Sequence, residues 1–142
     1  MSAAAYDPNN IFARILRGEL PCHKVYEDDS VLAFMDIMPR GEGHALVISK
    51  SPARNILDIA PEALDGLFRG AQTVARAAKA AFDADGVTIQ QFSEPAGGQV
   101  VFHIHVHVIP RWDGVRLRPH TGEMAGNEVL AAQAARIRAA IA

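Results

Sequence analysis

Three histidines alternate with apolar residues in the stretch HIHVHVIPR, residues 103–111. Half of the six histidines in this chain of 142 residues therefore lie within five consecutive positions. Side chains of a β-strand point alternately to its two faces, at intervals of about 6.6 to 6.8 Å along one face. The alternation predicts a strand that buries Ile104, Val106 and Val108 on one face and presents three imidazoles on the other.

The three imidazoles belong to His103, His105 and His107, and metal binding is one chemistry that would suit them. A single strand histidine is usually only hydrogen-bonded or solvated. Three in register are harder to explain in this way, because charged neighbours repel and buried rings need polar partners. Imidazoles two residues apart can chelate zinc, yet no other pair of Cys or His residues has metal-ligand spacing here. A metal carrier remains one alternative, and it predicts zinc that copurifies with the protein.

Nucleophilic catalysis is the other chemistry that suits the three imidazoles. A neutral imidazole nitrogen can attack an electrophile while a neighbouring group fixes its tautomer, and His105 at the centre is best placed for this. The nucleophile must be unprotonated, so activity should fall below about pH 6.5, unless neighbours shift the histidine pKa.

A glycine pair lies just upstream, in the loop PAGGQ. Such a pair often marks only a turn. Before three aligned imidazoles, however, the backbone N–H groups of Gly97 and Gly98 could approach an anion closely, as phosphate-binding nests do. We therefore expect the electrophile to be a phosphorus atom.

Composition limits the class of protein. A chain of 142 residues with 49% hydrophobic residues predicts one globular domain over residues 1–142. A net charge of -2 and the lack of charge runs favour neither nucleic acid nor a membrane surface as a partner. The sequence contains no run of about 18 consecutive apolar residues, the length that a helix needs to span a bilayer. The single cysteine and the lack of an obvious secretory signal favour a cytoplasmic protein.

Hydrophobic periodicity predicts an α+β fold. We expect helices at residues 11–17, 61–85 and 126–140, and strands at residues 22–27, 31–37, 45–49, 87–92 and 100–109. Short loops between neighbouring strands favour an antiparallel sheet that is covered by helices.

The histidine alternation, together with the step Gly98-Gln99 before it, resembles the His-φ-His-φ-His-φ-φ pattern of the histidine triad (HIT) family of nucleotide hydrolases and transferases. The likeness extends to FARILRGELPCHKVYEDDSVLAFMDIMPRGEGHALVISK and covers residues 10–111. It is greatest to the bacterial, Hint-like branch. The resemblance implies a HIT-like fold with a five-stranded antiparallel sheet, two main helices and a C-terminal helical extension over residues 112–142. It also implies a homodimer with one ten-stranded sheet.

The resemblance further implies a purine nucleotide substrate and no cofactor. His105 would attack the α-phosphorus to form a nucleotidyl-histidine, which water hydrolyses to a nucleoside monophosphate. His103 would orient His105 through a ring N–H, His107 would contact the phosphate, and Asp36 would hold the ribose hydroxyls. The remaining nucleotide contacts would be Ile11, Phe12, Ile15, Phe34, Ile37 and Leu46 around the purine, and Ser93, Gly98, Gln99 and Val100 near the phosphate.

A zinc site found in many bacterial relatives is missing here. Its ligands are a Cys-x-x-Cys pair at the start of the first helix, the first histidine of the triad and a histidine after the third strand. The corresponding positions are Asn10, Ala13 and the sequence Ser-Pro-Ala at residues 51–53. The sequence therefore predicts no bound metal.

Two other departures concern catalysis. Val100 replaces a serine whose hydroxyl is thought to help the leaving group in Hint enzymes, and Phe92 with Ser93 replaces a polar Asn or Gln. A nucleotide-binding adaptor with little turnover, or a dinucleoside polyphosphate hydrolase, therefore remains an alternative to a phosphoramidase. We expect His44 to be a structural hydrogen-bonding residue and His120 to lie on the surface.

Overall fold

The computed structural model describes residues 5–119 and 123–141, and His120 lies outside them. Five strands form one antiparallel sheet with the order β1-β2-β3-β5-β4, and three helices accompany it. In chain order the elements are α1 (Ile11–Leu16), β1 (Lys24–Glu27), β2 (Val31–Met35), β3 (Ala45–Ser49), α2 (Pro61–Ala81), β4 (Gly86–Gln90), β5 (His105–Arg111) and α3 (Asn127–Ala140). The α+β fold and the five-stranded sheet expected from the sequence are confirmed. None of the helices in the described part is long and apolar enough to cross a membrane.

The main core lies between one face of the sheet and the helices α2 and α3. Val106 and Val108 of β5, which alternate with the histidines, are fully buried there. The two layers approach closely at Gly70 of α2, where a Cβ atom would lie only 2.6 Å from Val31 Cγ2. Because both long helices cover this face, the opposite face of the sheet is left for the histidines.

A smaller apolar cluster and helix α1 lie on the histidine face. Asn10 begins this helix, since its side-chain oxygen accepts a hydrogen bond of 2.9 Å from Ala13 N–H, as expected of an N-cap. Gly18, with a φ of +77°, follows the helix in the left-handed conformation that glycine tolerates best. The buried members of the cluster are Phe12, Leu32, Phe34, Leu46 and Ile48.

The last strand is shorter at its start than the sequence predicts. The expected strand from residue 100 is wrong for residues 100–104, because β5 begins at His105. Its neighbour β3 pairs Ile48 with His105 and ends at Ser49, so the ladder has no partner further upstream. Ile104 N–H instead donates to Ala53 O at 2.9 Å. His103 therefore lies outside the strand, in the segment that leads into it.

Other boundaries differ by a few residues. Helix α2 ends at residue 81 rather than 85, because Asp83 adopts a positive φ of 47° that a helix cannot continue through. The expected strand at residues 22–27 is shortened at its start and those at residues 31–37 and 87–92 at their ends, and the last of these begins one residue earlier, at Gly86. The strand at residues 45–49 is confirmed and buried throughout.

Candidate active site

His105 is held in one tautomer by the main chain. Its Nδ1 atom lies 2.6 Å from the carbonyl oxygen of His103. A carbonyl can only accept, so Nδ1 carries the hydrogen, and the neutral ring has its lone pair on Nε2. The side chain is 8% exposed, and burial lowers its pKa to about 4. The ring is therefore neutral at all pH values well above 4, and the fall in activity expected below pH 6.5 moves to a lower pH.

The neighbouring His107 is oriented by a chain of hydrogen bonds. Arg40 N–H donates to His44 Nδ1 at 3.0 Å, which leaves the hydrogen of the neutral His44 ring on Nε2. This atom lies 2.9 Å from His107 Nδ1, so the proton of a neutral His107 ring lies on Nε2. His44 is fully buried. The expected role of His44 as a hydrogen-bonding residue agrees with this contact, although its partner is itself a histidine of the triad.

Asp36 lies beside the same pair of rings. Its Oδ2 atom is 3.5 Å from His44 Nε2, and its Oδ1 atom accepts a hydrogen bond of 2.8 Å from Met38 N–H. Burial raises the pKa of this carboxyl group to about 6, although the hydrogen bond from Met38 acts in the opposite direction. The structure thus places the carboxyl group of Asp36 next to the ring of His44.

Asp36, His44 and His107 also offer atoms that a metal could bind. One ligand atom from each lies within 4.8 Å of the others, and two imidazoles with a carboxylate are a set that zinc accepts. However, the hydrogen on His44 Nε2 already bonds to His107. A cation at the centre of this cluster would have to displace that hydrogen.

The ring of His103 does not contact His105 in the way we expected. The orienting group is the main-chain oxygen of His103 rather than a ring N–H. The ring itself is 1% exposed, and its Nε2 lies 2.7 Å from Ser49 O, to which it must donate. Its Nδ1 lies 2.7 Å from the hydroxyl of Tyr6. The expectation that three imidazoles share one strand face therefore holds for His105 and His107, whose ring centroids are 5.1 Å apart.

The residues that occupy the positions of the bacterial zinc site do not fit a zinc ion. Asn10 uses its side-chain oxygen to cap α1, and Ala13 has no donor atom. The remaining positions, residues 51–53, carry no imidazole or thiol. His103 Nδ1 is hydrogen-bonded to Tyr6. Asn10, Ala13 and residues 51–53 therefore lack the imidazole nitrogen and thiolate sulfur ligands that a structural zinc ion requires.

Apolar side chains line the histidine face beside the two rings. The strand register places Phe34 opposite Leu46 and Leu46 opposite His107, in one row across three strands. Phe12 of α1 contacts the His105 ring edge-on, at 4.9 Å between ring centroids. Three of the six expected purine contacts are therefore buried close to the histidines. Of the other three, Ile15 packs against this cluster, and Ile11 and Ile37 are about half exposed.

The glycine loop does not form the expected anion cradle. Its N–H groups donate within a short 3₁₀ turn: Gly98 N–H to Pro95 O at 3.0 Å, and both Gly97 N–H and Gln99 N–H to Glu94 O. The prediction of a nest at Gly97 and Gly98 is therefore wrong for this structure. Position 98 favours glycine because its φ of +96° lies in a region that other residues rarely adopt.

The side chain of Gln99 holds this loop rather than facing the histidines. It is 5% exposed, and its nitrogen donates to Arg54 O at 2.7 Å and to Val101 O at 3.1 Å. Its oxygen accepts from Glu94 N–H at 2.8 Å and from the amide of Asn55 at 3.1 Å. We therefore interpret Gln99 as shaping the loop, and its expected contact with phosphate remains untested.

Sequence reasoning missed the partners of Gln99. Arg54 and Glu94 form a two-armed ion pair, at 2.8 and 3.1 Å, that fixes the loop to the segment after β3. Glu94 has a φ of +68°, which is uncommon outside glycine. No local pattern marks these residues, because they lie 40 positions apart in the sequence.

The two departures near the loop have different surroundings. Val100 is 79% exposed, so its side chain makes little contact with the protein. Phe92 lies against His107, with 5.4 Å between ring centroids. Ser93 is hydrogen-bonded to the side chain of Gln91 at 2.9 Å. Ser93 and Val100 therefore stay predicted nucleotide contacts, which the structure neither supports nor contradicts.

Comparison with known proteins agrees with this fold. A Hit-like protein involved in cell-cycle regulation from Bartonella henselae superposes with a TM-score of 0.90 at 49% identity, over 96% of this chain and 99% of its own. Protein hit of Bacillus subtilis is 39% identical over 104 residues, which are 73% of this chain and 72% of the relative. The adenylylsulfatase HINT3 of Arabidopsis thaliana is 33% identical over 117 residues, 78% of this chain and 59% of the relative. The family model of the HIT domain matches residues 17–114, and the chain belongs to the histidine triad (HIT) family.

Proposed function

We propose that this protein hydrolyses purine nucleotide derivatives at the α-phosphate and that His105 is the nucleophile. The observation that carries the proposal is the hydrogen bond from His105 Nδ1–H to the His103 carbonyl, which leaves the lone pair on Nε2. Burial also keeps the ring neutral near pH 7. A nucleophilic nitrogen therefore exists without any further proton transfer.

The reaction would proceed in two displacements at phosphorus. His105 Nε2 forms a bond to the α-phosphorus, and the bond between phosphorus and the leaving group breaks; the leaving group departs with that electron pair and takes up a proton. The oxygen of a water molecule then bonds to the phosphorus and the water loses a proton to solvent. The bond between phosphorus and His105 Nε2 breaks, its electron pair returns to Nε2, and the nucleoside monophosphate is released. The neutral ring of His107 carries its hydrogen on Nε2 because of the bond between its Nδ1 and His44. This N–H would donate to a phosphate oxygen.

The surroundings of the histidines support a nucleotide as the substrate. Ile11 and Ile37, which are about half exposed, would offer apolar surface to a purine beside the buried Phe12, Phe34 and Leu46. Asp36 would accept hydrogen bonds from the ribose hydroxyls. One relative, HINT3, carries the name adenylylsulfatase, which supports an adenylyl group as the part of the substrate that is retained. We propose a nucleoside phosphoramidate or a related adenylyl compound as the substrate class.

Release of AMP from adenosine 5′-phosphoramidate tests this proposal. The wild-type protein should release AMP, and His105→Ala should not. His23→Ala is the matched control, because this histidine lies outside the site and its ring contacts Asn127. Full activity of His105→Ala would refute the assignment of the nucleophile.

A nucleotide-binding adaptor with little turnover is the second candidate function. The exposed Val100 favours it, because the hydroxyl thought to help the leaving group in Hint enzymes is absent. Such a protein would bind AMP in a calorimetric titration but release none from the phosphoramidate. If AMP binds without turnover, dinucleoside polyphosphates should be tested next.

We also propose that the chain is one domain and forms a homodimer. Strand β4 is an edge of the sheet, and Ile89 on it is 44% exposed on the side that carries α2. Phe68 of α2 is also 40% exposed. Pairing of two β4 edges would cover this surface and join two sheets into one of ten strands. Ile89→Arg should therefore shift the protein to the monomer in light scattering, and an unchanged mass would refute this interface. A cytoplasmic location stays a prediction.

A further inference from the structure

Tyr6 makes a contact that the nucleotide site does not explain. It lies before α1, and its hydroxyl oxygen is 2.7 Å from His103 Nδ1, with the two rings edge-on at 5.6 Å. The segment around it is fixed to α1: Arg17 donates to Pro8 O at 2.7 Å, and the Asn10 amide donates to Asp7 O at 2.8 Å. A tyrosine far away in sequence thus reaches the first histidine of the triad.

The direction of this hydrogen bond follows from the other edge of the ring. His103 Nε2 must donate to Ser49 O, so a neutral His103 ring has its lone pair on Nδ1. Tyr6 is therefore the donor. Burial lowers the pKa of His103, which favours the same neutral form. The two hydrogen bonds together hold the ring by both nitrogens.

The orientation of His103 matters because of its main chain. Its carbonyl oxygen accepts the hydrogen of His105 Nδ1, and this bond determines which nitrogen of His105 has the lone pair. His103 lies outside β5, so no strand ladder fixes that carbonyl. The carbonyl is held by the ring contacts of His103 and by Ile104 N–H, which donates to Ala53 O.

We propose that Tyr6 is a positioning residue: its hydroxyl holds His103 neutral and oriented, so that the His103 carbonyl keeps His105 in the tautomer with a nucleophilic Nε2. This inference rests on the proposed function for its catalytic consequence. The contact itself can be tested without any activity. Among the described residues, Tyr6 and His105 are the titratable groups that these contacts bring to His103.

Tyr6→Phe tests the proposal, because it removes the hydroxyl and keeps the ring. Tyr26→Phe is the matched control: Tyr26 is the other tyrosine, and it donates to Asp28 at 2.8 Å, away from the histidines. Both proteins should be titrated by NMR of ¹⁵N-labelled imidazoles. In Tyr6→Phe the lone pair on His103 Nδ1 loses its donor, so protonation of His103 should move towards neutral pH, whereas Tyr26→Phe should titrate like the wild type.

Kinetics give the second measurement. In Tyr6→Phe, kcat for AMP release should fall about tenfold, the size of one hydrogen bond, with KM changed less than about twofold. The pH at which kcat falls on the acid side of its profile should also be higher than in the wild type. If His103 titrates alike in Tyr6→Phe and Tyr26→Phe, the proposal is overturned. If the wild type releases no AMP, the proposed function fails, but the NMR titration still decides the role of Tyr6.

Discussion

Asp36→Asn should raise the stability of the protein while it weakens the binding of AMP. Asp36 is a carboxyl group with an 18% exposed side chain, and burial raises its pKa from 3.8 to about 6. Asparagine has nearly the same shape, and its side-chain oxygen can still accept the hydrogen bond from Met38 N–H. The substitution therefore removes mainly the charge.

The expected size follows from this pKa. The rise is about two units, and one unit corresponds to about 1.4 kcal/mol, so keeping the ionised carboxylate buried costs about 3 kcal/mol. Because the folded state binds this proton more tightly than the unfolded state, the cost is present at pH 7.5 and disappears as the pH falls through 6 towards 4. Asp36→Asn should therefore be more stable than the wild type at pH 7.5 by up to about 3 kcal/mol.

Urea unfolding of both proteins between pH 4 and pH 7.5 measures this difference. His105 adds its own pH dependence in the opposite direction, since its pKa is lowered by burial, but this contribution is common to both proteins and cancels. Asp29→Asn, in the exposed turn between β1 and β2, is the control for loss of one carboxylate. A difference between Asp36→Asn and the wild type that does not change with pH would refute the reasoning. The variant should also bind AMP more weakly if Asp36 holds the ribose.

Four further predictions concern the site and its loop. At saturating substrate, kcat should stay nearly constant from pH 7.5 down to about 5 and fall near pH 4, and a fall centred at 6.5 would contradict the lowered pKa of His105. Gln99→Met removes four side-chain hydrogen bonds and should lower the free energy of unfolding by about 2 to 4 kcal/mol in urea; an unchanged value would show that the loop is held otherwise. Val100→Ser should raise the rate of AMP release while stability stays within about 0.5 kcal/mol, because the side chain is exposed. Treatment with EDTA should leave the rate unchanged, since Asn10 and Ala13 offer no zinc ligand and the hydrogen on His44 Nε2 is bonded to His107; loss of activity would point to a metal at Asp36, His44 and His107 or at another site.

The alternating and amphipathic stretches predicted the layers of the fold well. Val106 and Val108 belong to the core under α2, and His105 and His107 face the other way, as period-two alternation requires. The cap at Asn10 is also a local feature, because a short polar side chain before an apolar helical run satisfies the free N–H groups of the first turn. Such features depend on neighbours within a few residues.

Features that depend on distant residues were predicted poorly. His103 leaves the strand because β3 ends at Ser49, and nothing in the sequence around His103 shows where its partner strand stops. The nest at Gly97 and Gly98 failed for a related reason. The loop folds around the buried amide of Gln99, whose partners come from the segment after β3.

The alternation of the three histidines in the sequence therefore does not determine which nitrogen of each imidazole carries the hydrogen. Each neutral ring has one donor and one acceptor nitrogen, and the partner decides which is which. For His105 the partner is a carbonyl two residues away, for His107 it is His44, and for His103 the partners are Ser49 and Tyr6. Only the first of these contacts is local. A chain could keep the same alternation with other residues at positions 6 and 44 and hold its imidazoles in different tautomers, so the nucleophile has to be identified from these hydrogen bonds.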